Sequence, residues 1–119
     1  MTQKSLLIVD DSALARLMLR KHCAACRPDW TILEACNGEE ALEMIAGEPV
    51  TLALIDFHMP GMNGLDLAIR LLERQPGLSV HLVTANIQDR IQQRARELGL
   101  GFVNKPVSEA QIQALFQGR

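Results

Sequence analysis

Five short apolar runs punctuate the chain, and a stretch with helical spacing follows each one. The runs are Leu6–Val9, Trp30–Leu33, Leu52–Ile55, Val80–Val83 and Phe102–Val103. Runs this short that do not alternate with polar residues predict strands buried on both faces. The first helical stretch extends from Ser12 to about Cys26, with Leu14, Leu17, Met18 and Ala25 at helical spacing. Asn37-Gly38-Glu39-Glu40 opens the second, with a capping Asn and acids in the first turn, and Gly47 and Pro49 stop it. The third extends from Leu65 to about Arg74, before Pro76-Gly77. Ile87, Ile91, Ala95 and Leu98 mark one face of the fourth, closed by Gly99. Ser108 caps a short final helix reaching about Gln117. Strands separated by helices pair in parallel through right-handed crossovers. The expected fold is α/β: a doubly wound (βα)5 three-layer sandwich, forming one domain over residues 1–119.

Composition removes several function classes. Twelve Lys and Arg stand against fourteen Asp and Glu, and only 3% of residues are aromatic. Nucleic-acid binding, which favours a basic excess and stacking rings, is therefore not expected. No stretch approaches the roughly 18 apolar residues of a membrane span. The N-terminus runs directly into the first apolar run without a signal-peptide pattern, so a cytoplasmic protein is expected. The three cysteines, Cys23, Cys26 and Cys36, are too few for a four-ligand zinc site. Cys23-Ala-Ala-Cys26 falls near a helix end, whereas a redox CxxC needs a helix N-terminus, so structural thiols are expected. His22 reads as a helix-end residue and His81 as a packed strand residue.

The polar residues that follow the strands carry the chemistry. Asp10 and Asp11 follow the first strand, Asp56 the third and Thr84 the fourth, and Lys105 comes two residues after Val103. The carboxyl edge of such a sheet is where ligands bind. Loop polarity and helix capping would explain any one of these residues, but explain five at one edge poorly. If strands one and three are neighbours, the three Asp converge. Carboxylates 4 Å apart repel by about 4 kcal/mol per pair at a protein-like dielectric, so the cluster wants a cation. A hard, oxygen-liking ion such as Mg²⁺ fits. With Lys105 as a second positive charge and Thr84 as a hydroxyl donor, this is equipment for phosphoryl transfer.

Five motifs in this order and spacing closely resemble the CheY-like receiver domain of bacterial two-component response regulators. They are Asp10-Asp11-Ser12, the stretch Ala35-Cys36-Asn37-Gly38-Glu39-Glu40-Ala41-Leu42, the stretch Asp56-Phe57-His58-Met59-Pro60-Gly61-Met62-Asn63-Gly64, Thr84-Ala85 and Lys105-Pro106. The resemblance covers essentially the whole chain and implies a flavodoxin-like sheet of order 2-1-3-4-5. It implies that Asp56 is phosphorylated by a sensor histidine kinase or a histidine phosphotransfer protein. Asp11, Asp56 and the backbone carbonyl of His58 would bind Mg²⁺ directly, and Asp10 through a water. Lys105 would pair first with Asp56 and then with the phosphoryl oxygens, across a cis Lys105–Pro106 peptide. Thr84 would hydrogen-bond the phosphoryl group, and Phe102, at the switch-aromatic position, would turn inward behind it. A downstream effector protein or domain and a phosphorylation-dependent dimer are the further partners implied.

This sequence departs from the family pattern at two of these positions. Phe102 stands where Tyr is frequent and has no hydroxyl to anchor it, so an inward bias and raised basal activity are expected. His58 is less usual two residues after the acceptor; its side chain is expected to face solvent, the alternative being that the imidazole tunes hydrolysis. The family's output surface usually includes the fourth helix, where Arg90, Gln92, Gln93, Arg94 and Arg96 form a polar, basic face. The chain ends at Arg119 with no linker or effector, so a stand-alone or an excised receiver is expected. Three rivals share parts of the pattern. A haloacid-dehalogenase-like Mg²⁺-dependent phosphatase would need a second acid where His58 stands. A flavodoxin-like cofactor carrier would need a phosphate loop where Asp10 and Asp11 would repel phosphate. The third is a receiver-like interaction module that is not phosphorylated.

Overall fold

A computed structural model describes residues 4–85 and 88–117. Strands and helices alternate from end to end. They are β1 (Ser5–Val9), α1 (Ala13–Cys26), β2 (Thr31–Ala35), α2 (Gly38–Ile45), β3 (Leu52–Asp56), α3 (Gly64–Arg74), β4 (Ser79–Thr84), α4 (Asp89–Glu97), β5 (Gly101–Asn104) and α5 (Glu109–Phe116). All strand pairs are parallel, and the sheet order is β2-β1-β3-β4-β5, as the resemblance implies.

Successive strand residues point to opposite faces, which splits the core in two. Leu7, Val9, Ala53, Ile55 and Leu82 join Ala41, Leu42 and Ile45 of α2, Leu67 and Leu71 of α3 and Ala95 of α4. Leu6, Ile8, Leu52, Leu54 and Val83 meet Leu19 and Cys23 of α1 and Ile112 and Phe116 of α5 on the other face. The central strands β1 and β3 are buried at every residue, whereas β2 at the edge is half-buried over most of its length and accommodates Glu34.

The helix starts follow their caps. The side chains of Ser12, Asn37, Asn63 and Ser108 each accept a hydrogen bond from the backbone N–H three residues on, satisfying donors the helix itself cannot. Ser108 and Gln111 complete a capping box. Gly99, at φ +78°, follows the end of α4 in the left-handed conformation that glycine tolerates. Ile87, expected on the α4 face, lies outside the described residues.

The apolar spacing in α1 predicts the helix but not its orientation. Leu14, Leu17 and Met18 are 68%, 48% and 51% exposed, and the buried residues of α1 are Leu19 and Cys23 on the opposite side. Leu19 and Cys23 pack into the core with residues of β1, β3 and α5, and on the same side of the helix Arg16 and Arg20 both hydrogen-bond Glu34 of β2. Cys23 is buried and Cys26 half-buried, both as free thiols, and burial pushes the Cys23 thiol up to about 12. That is the inert behaviour expected of a packed cysteine.

Candidate functional site

The β1–β3 pairing puts Val9 beside Ile55, so the residues that follow each strand end meet at one point of the sheet's carboxyl edge. There, carboxylate oxygens of Asp10, Asp11 and Asp56 lie within 4.8 Å of one another. Asp10 and Asp56 are 2% and 4% exposed, while Asp11 is open to solvent. Lys105 Nζ donates to Asp56 Oδ1 at 3.0 Å. Thr84 is fully buried at the end of β4, and its carbonyl accepts from the Lys105 N–H at 3.0 Å. The Lys105–Pro106 peptide is cis. All five strand-end residues expected to act together therefore share this edge.

Local bonds hold each acid in place. Asp10 N–H donates to Ala35 O at 3.1 Å, and Asp10 Oδ1 accepts from Ser12 N–H at 2.9 Å. The Phe57 N–H donates to Val83 O, and the loop after Asp56 closes where Gly64 N–H donates to Phe57 O. A side chain at Gly64 would put a carbon 2.7 Å from Asp56 O and 2.8 Å from Phe57 Cα, so only glycine lets α3 begin this close to the acid's backbone. His58 is exposed, as expected, and sits edge-on to Phe57 with ring centroids 4.9 Å apart. Phe102 is half-buried against the α2–α3–α4 side of the core, on the strand next to Thr84.

The donor set is oxygen-only and anionic, which suits a hard divalent cation such as Mg²⁺. The state of Asp10 points the same way. Burial, with smaller contributions from Asp56 and Asp11, pushes its carboxyl above the usual range; the Ser12 N–H and Lys105 pull it back only in part. A carboxyl raised in the fold gives stability that is full below its unfolded pKa and is lost as pH rises through the folded one. Once ionised, then, the Asp10 carboxylate costs stability. Asp10→Asn keeps an acceptor for Ser12 N–H and removes the charge. Without divalent ions it is expected to raise the melting temperature by a few degrees, the equivalent of about 1 kcal/mol. The gain should shrink under acid conditions; an equal or lower melting temperature at neutral pH would contradict this electrostatic reading.

Comparison with known proteins gives the family. The sequence model described as "Response regulator receiver domain" matches residues 6–117. The chain belongs to the response regulator receiver domain family. It is 38% identical over 115 residues to the positive alginate biosynthesis regulatory protein of Pseudomonas aeruginosa, covering 93% of this chain and 45% of that protein. It is 33% identical over 113 residues to the cyclic di-GMP phosphodiesterase response regulator RpfG of Xanthomonas campestris, covering 92% of this chain and 30% of that one. The chain thus spans half or less of the curated relatives it matches. Among solved structures, a CheY-like response regulator receiver domain protein from Methanospirillum hungatei superposes with a TM-score of 0.84 at 26% identity, covering 98% of this chain and 92% of that one. No helix among the described residues is long and apolar enough to cross a membrane.

Reasoning from sequence did not single out Arg16, Arg20 or Glu34 as contributors to the site, and it has Gly64 only as the last residue of the Asp56–Gly64 motif. The available signals were an acid directly after the Trp30–Leu33 run and two arginines spaced i, i+4 on the preceding helix.

Proposed function

We propose that this receiver domain takes a phosphoryl group onto Asp56 from a phosphohistidine of a sensor kinase or histidine phosphotransfer protein. The observation that carries the reading is a nearly buried Asp56 with Lys105 Nζ at 3.0 Å and two further carboxylates within 4.8 Å. A carboxylate oxygen of Asp56 forms the new bond to phosphorus. The phosphorus–nitrogen bond breaks, and the imidazole leaves with that electron pair and picks up a proton. The product is an acyl phosphate. Asp11, Asp56 and the His58 carbonyl, with Asp10 beside them, would hold Mg²⁺, whose chemistry here is charge neutralisation on the transferring phosphoryl oxygens. Lys105 holds the Asp56 carboxylate ready and then follows the phosphoryl oxygens. The Thr84 hydroxyl donates to the same oxygens, and Phe102 follows it as the switch. Asp56, Lys105 and Thr84 are thus the reacting set.

Two surfaces fit the partners. The exposed Leu14, Leu17 and Met18 lie on α1, and a 290 Å³ cavity lined by Met18, His22, Asp10, Lys105 and Pro106 connects that helix to the site. This supports α1 as the phosphodonor's landing face. The exposed Arg90, Arg94 and Arg96 of α4 support that helix as the output face toward an effector or a phosphorylation-dependent dimer. A cytoplasmic place of action belongs to the same proposal. The test is acetyl phosphate with Mg²⁺ followed by borohydride reduction and peptide mapping. Homoserine at position 56 is expected; modification elsewhere, or none, would overturn the assignment.

A further inference from the structure

We infer that Arg16 is a positioning residue for the metal-binding loop, setting its Mg²⁺ affinity without touching the ion or the acceptor; the inference rests on the phosphoacceptor reading above. Arg16 lies on the first turns of α1, and its side chain is only 19% exposed. Its Nη1 donates to the backbone carbonyl of Asp10 at 2.7 Å. Its Nε donates to Glu34 Oε1 at 3.2 Å, and among the described residues Glu34 is the one carboxylate it pairs with. Arg16 therefore spans from the acidic loop to the edge strand β2.

The Asp10 carbonyl belongs to the peptide group that joins Asp10 to Asp11. Asp10 is already held through its N–H by Ala35 O and through its carboxylate by Ser12 N–H. The Arg16 bond fixes the remaining backbone group, and with it the peptide plane from which the exposed Asp11 projects. Glu34 holds the guanidinium from the far side. It is itself held by Arg20, whose Nε donates to Glu34 Oε2 at 2.6 Å and whose Nη2 donates to Ile32 O at 3.2 Å. The planar fork of an arginine can serve carbonyl and carboxylate at once; a point-charge ammonium is a poor substitute.

Arg20 supplies an internal control. It shares the same Glu34 and carries the same charge, yet among the described residues it hydrogen-bonds Glu34 and the Ile32 carbonyl of β2 and not the acidic loop. The positioning role also opposes simple electrostatics in sign. Removing a cation near three carboxylates should strengthen Mg²⁺ binding, whereas losing the peptide's anchor should weaken it.

The test is Mg²⁺ titration of the full chain, followed by the amide resonances of residues 10–12, for wild type, Arg16→Met and Arg20→Met. Arg16→Met keeps an aliphatic stem for packing. It is expected to weaken Mg²⁺ binding by about tenfold, the low end for residues that orient a metal ligand. The Asp11 amide resonance should shift in Arg16→Met before any metal is added. Arg20→Met should keep both at the wild-type value. Unchanged or tighter binding in Arg16→Met, or equal weakening in both variants, would overturn the inference. Should Arg16→Met lack a cooperative thermal transition, Arg16→Gln takes its place with the same expected weakening and the same overturning result. A wild type that shows no saturable response to Mg²⁺ would instead overturn the phosphoacceptor reading itself.

Discussion

Lys105→Ala should slow phosphorylation of Asp56 by acetyl phosphate by about 100-fold to 1,000-fold, the usual cost of removing one preorganised charge-stabilising donor. Lys105 Nζ sits 3.0 Å from Asp56 Oδ1, and Asp56 is otherwise faced by two more carboxylates. Without the ammonium, the incoming phosphoryl group meets acids with one fewer cation to offset its charge. The same change removes a cation beside the Mg²⁺ ligands, so Mg²⁺ affinity should stay equal or increase. The two effects separate on one set of samples: intact-mass time courses give the rate, and amide resonances against Mg²⁺ give the affinity. A rate within a few fold of wild type would mean that Lys105 does not act on the transferring group.

Gly64→Ala should lower stability by about 2 kcal/mol and slow phosphorylation even where the protein is still folded. The added carbon would sit 2.7 Å from Asp56 O and 2.8 Å from Phe57 Cα. These are backbone atoms of the acceptor's own segment and cannot swing aside as a flexible side chain would. The relief must come from moving Asp56 or the start of α3, both packed into the core. Gly47 and Gly77 offer the comparison, since a side chain at either meets nothing within 4 Å and neither has a positive φ. Alanine there should be neutral or stabilise by up to about 1 kcal/mol through the unfolded chain. Thermal unfolding of the three variants checks the ranking, and a Gly64→Ala melting temperature equal to the Gly77→Ala value would contradict it.

How far the sequence could be read depended on whether the determinant was local. Strand length, apolar runs and caps are written in consecutive residues, so β1 to β5 and the starts at Ser12, Asn37 and Ser108 were legible within a residue or two. The convergence of Asp10, Asp11 and Asp56 was legible because a parallel sheet brings all its strand ends to one edge, given that β1 and β3 are neighbours. The rotation of α1 was not. Leu14, Leu17 and Met18 have the spacing of a core face, yet Leu19 and Cys23 take the core and Arg16 and Arg20 reach Glu34 on that side, leaving the three outward. That outcome depends on a strand more than ten residues away, and the run Trp30–Leu33 marks where that strand begins without showing which helix Glu34 would face. Gly64 stands in the Asp56–Gly64 motif, but why that position needs glycine was hidden for a related reason. It reflects the approach of α3 to the backbone of Asp56, and no spacing rule along the chain reports such an approach.

The most direct test of the central claim is intact-mass spectrometry of wild type and Asp56→Asn after incubation with acetyl phosphate, with Mg²⁺ and with EDTA. The expected result is a single phosphoryl adduct on the wild type with Mg²⁺, little or none with EDTA, and none on Asp56→Asn in either condition. Equal labelling of the two proteins, or labelling of the wild type that is indifferent to Mg²⁺, would contradict a phosphoacceptor built from Asp10, Asp11, Asp56 and Lys105.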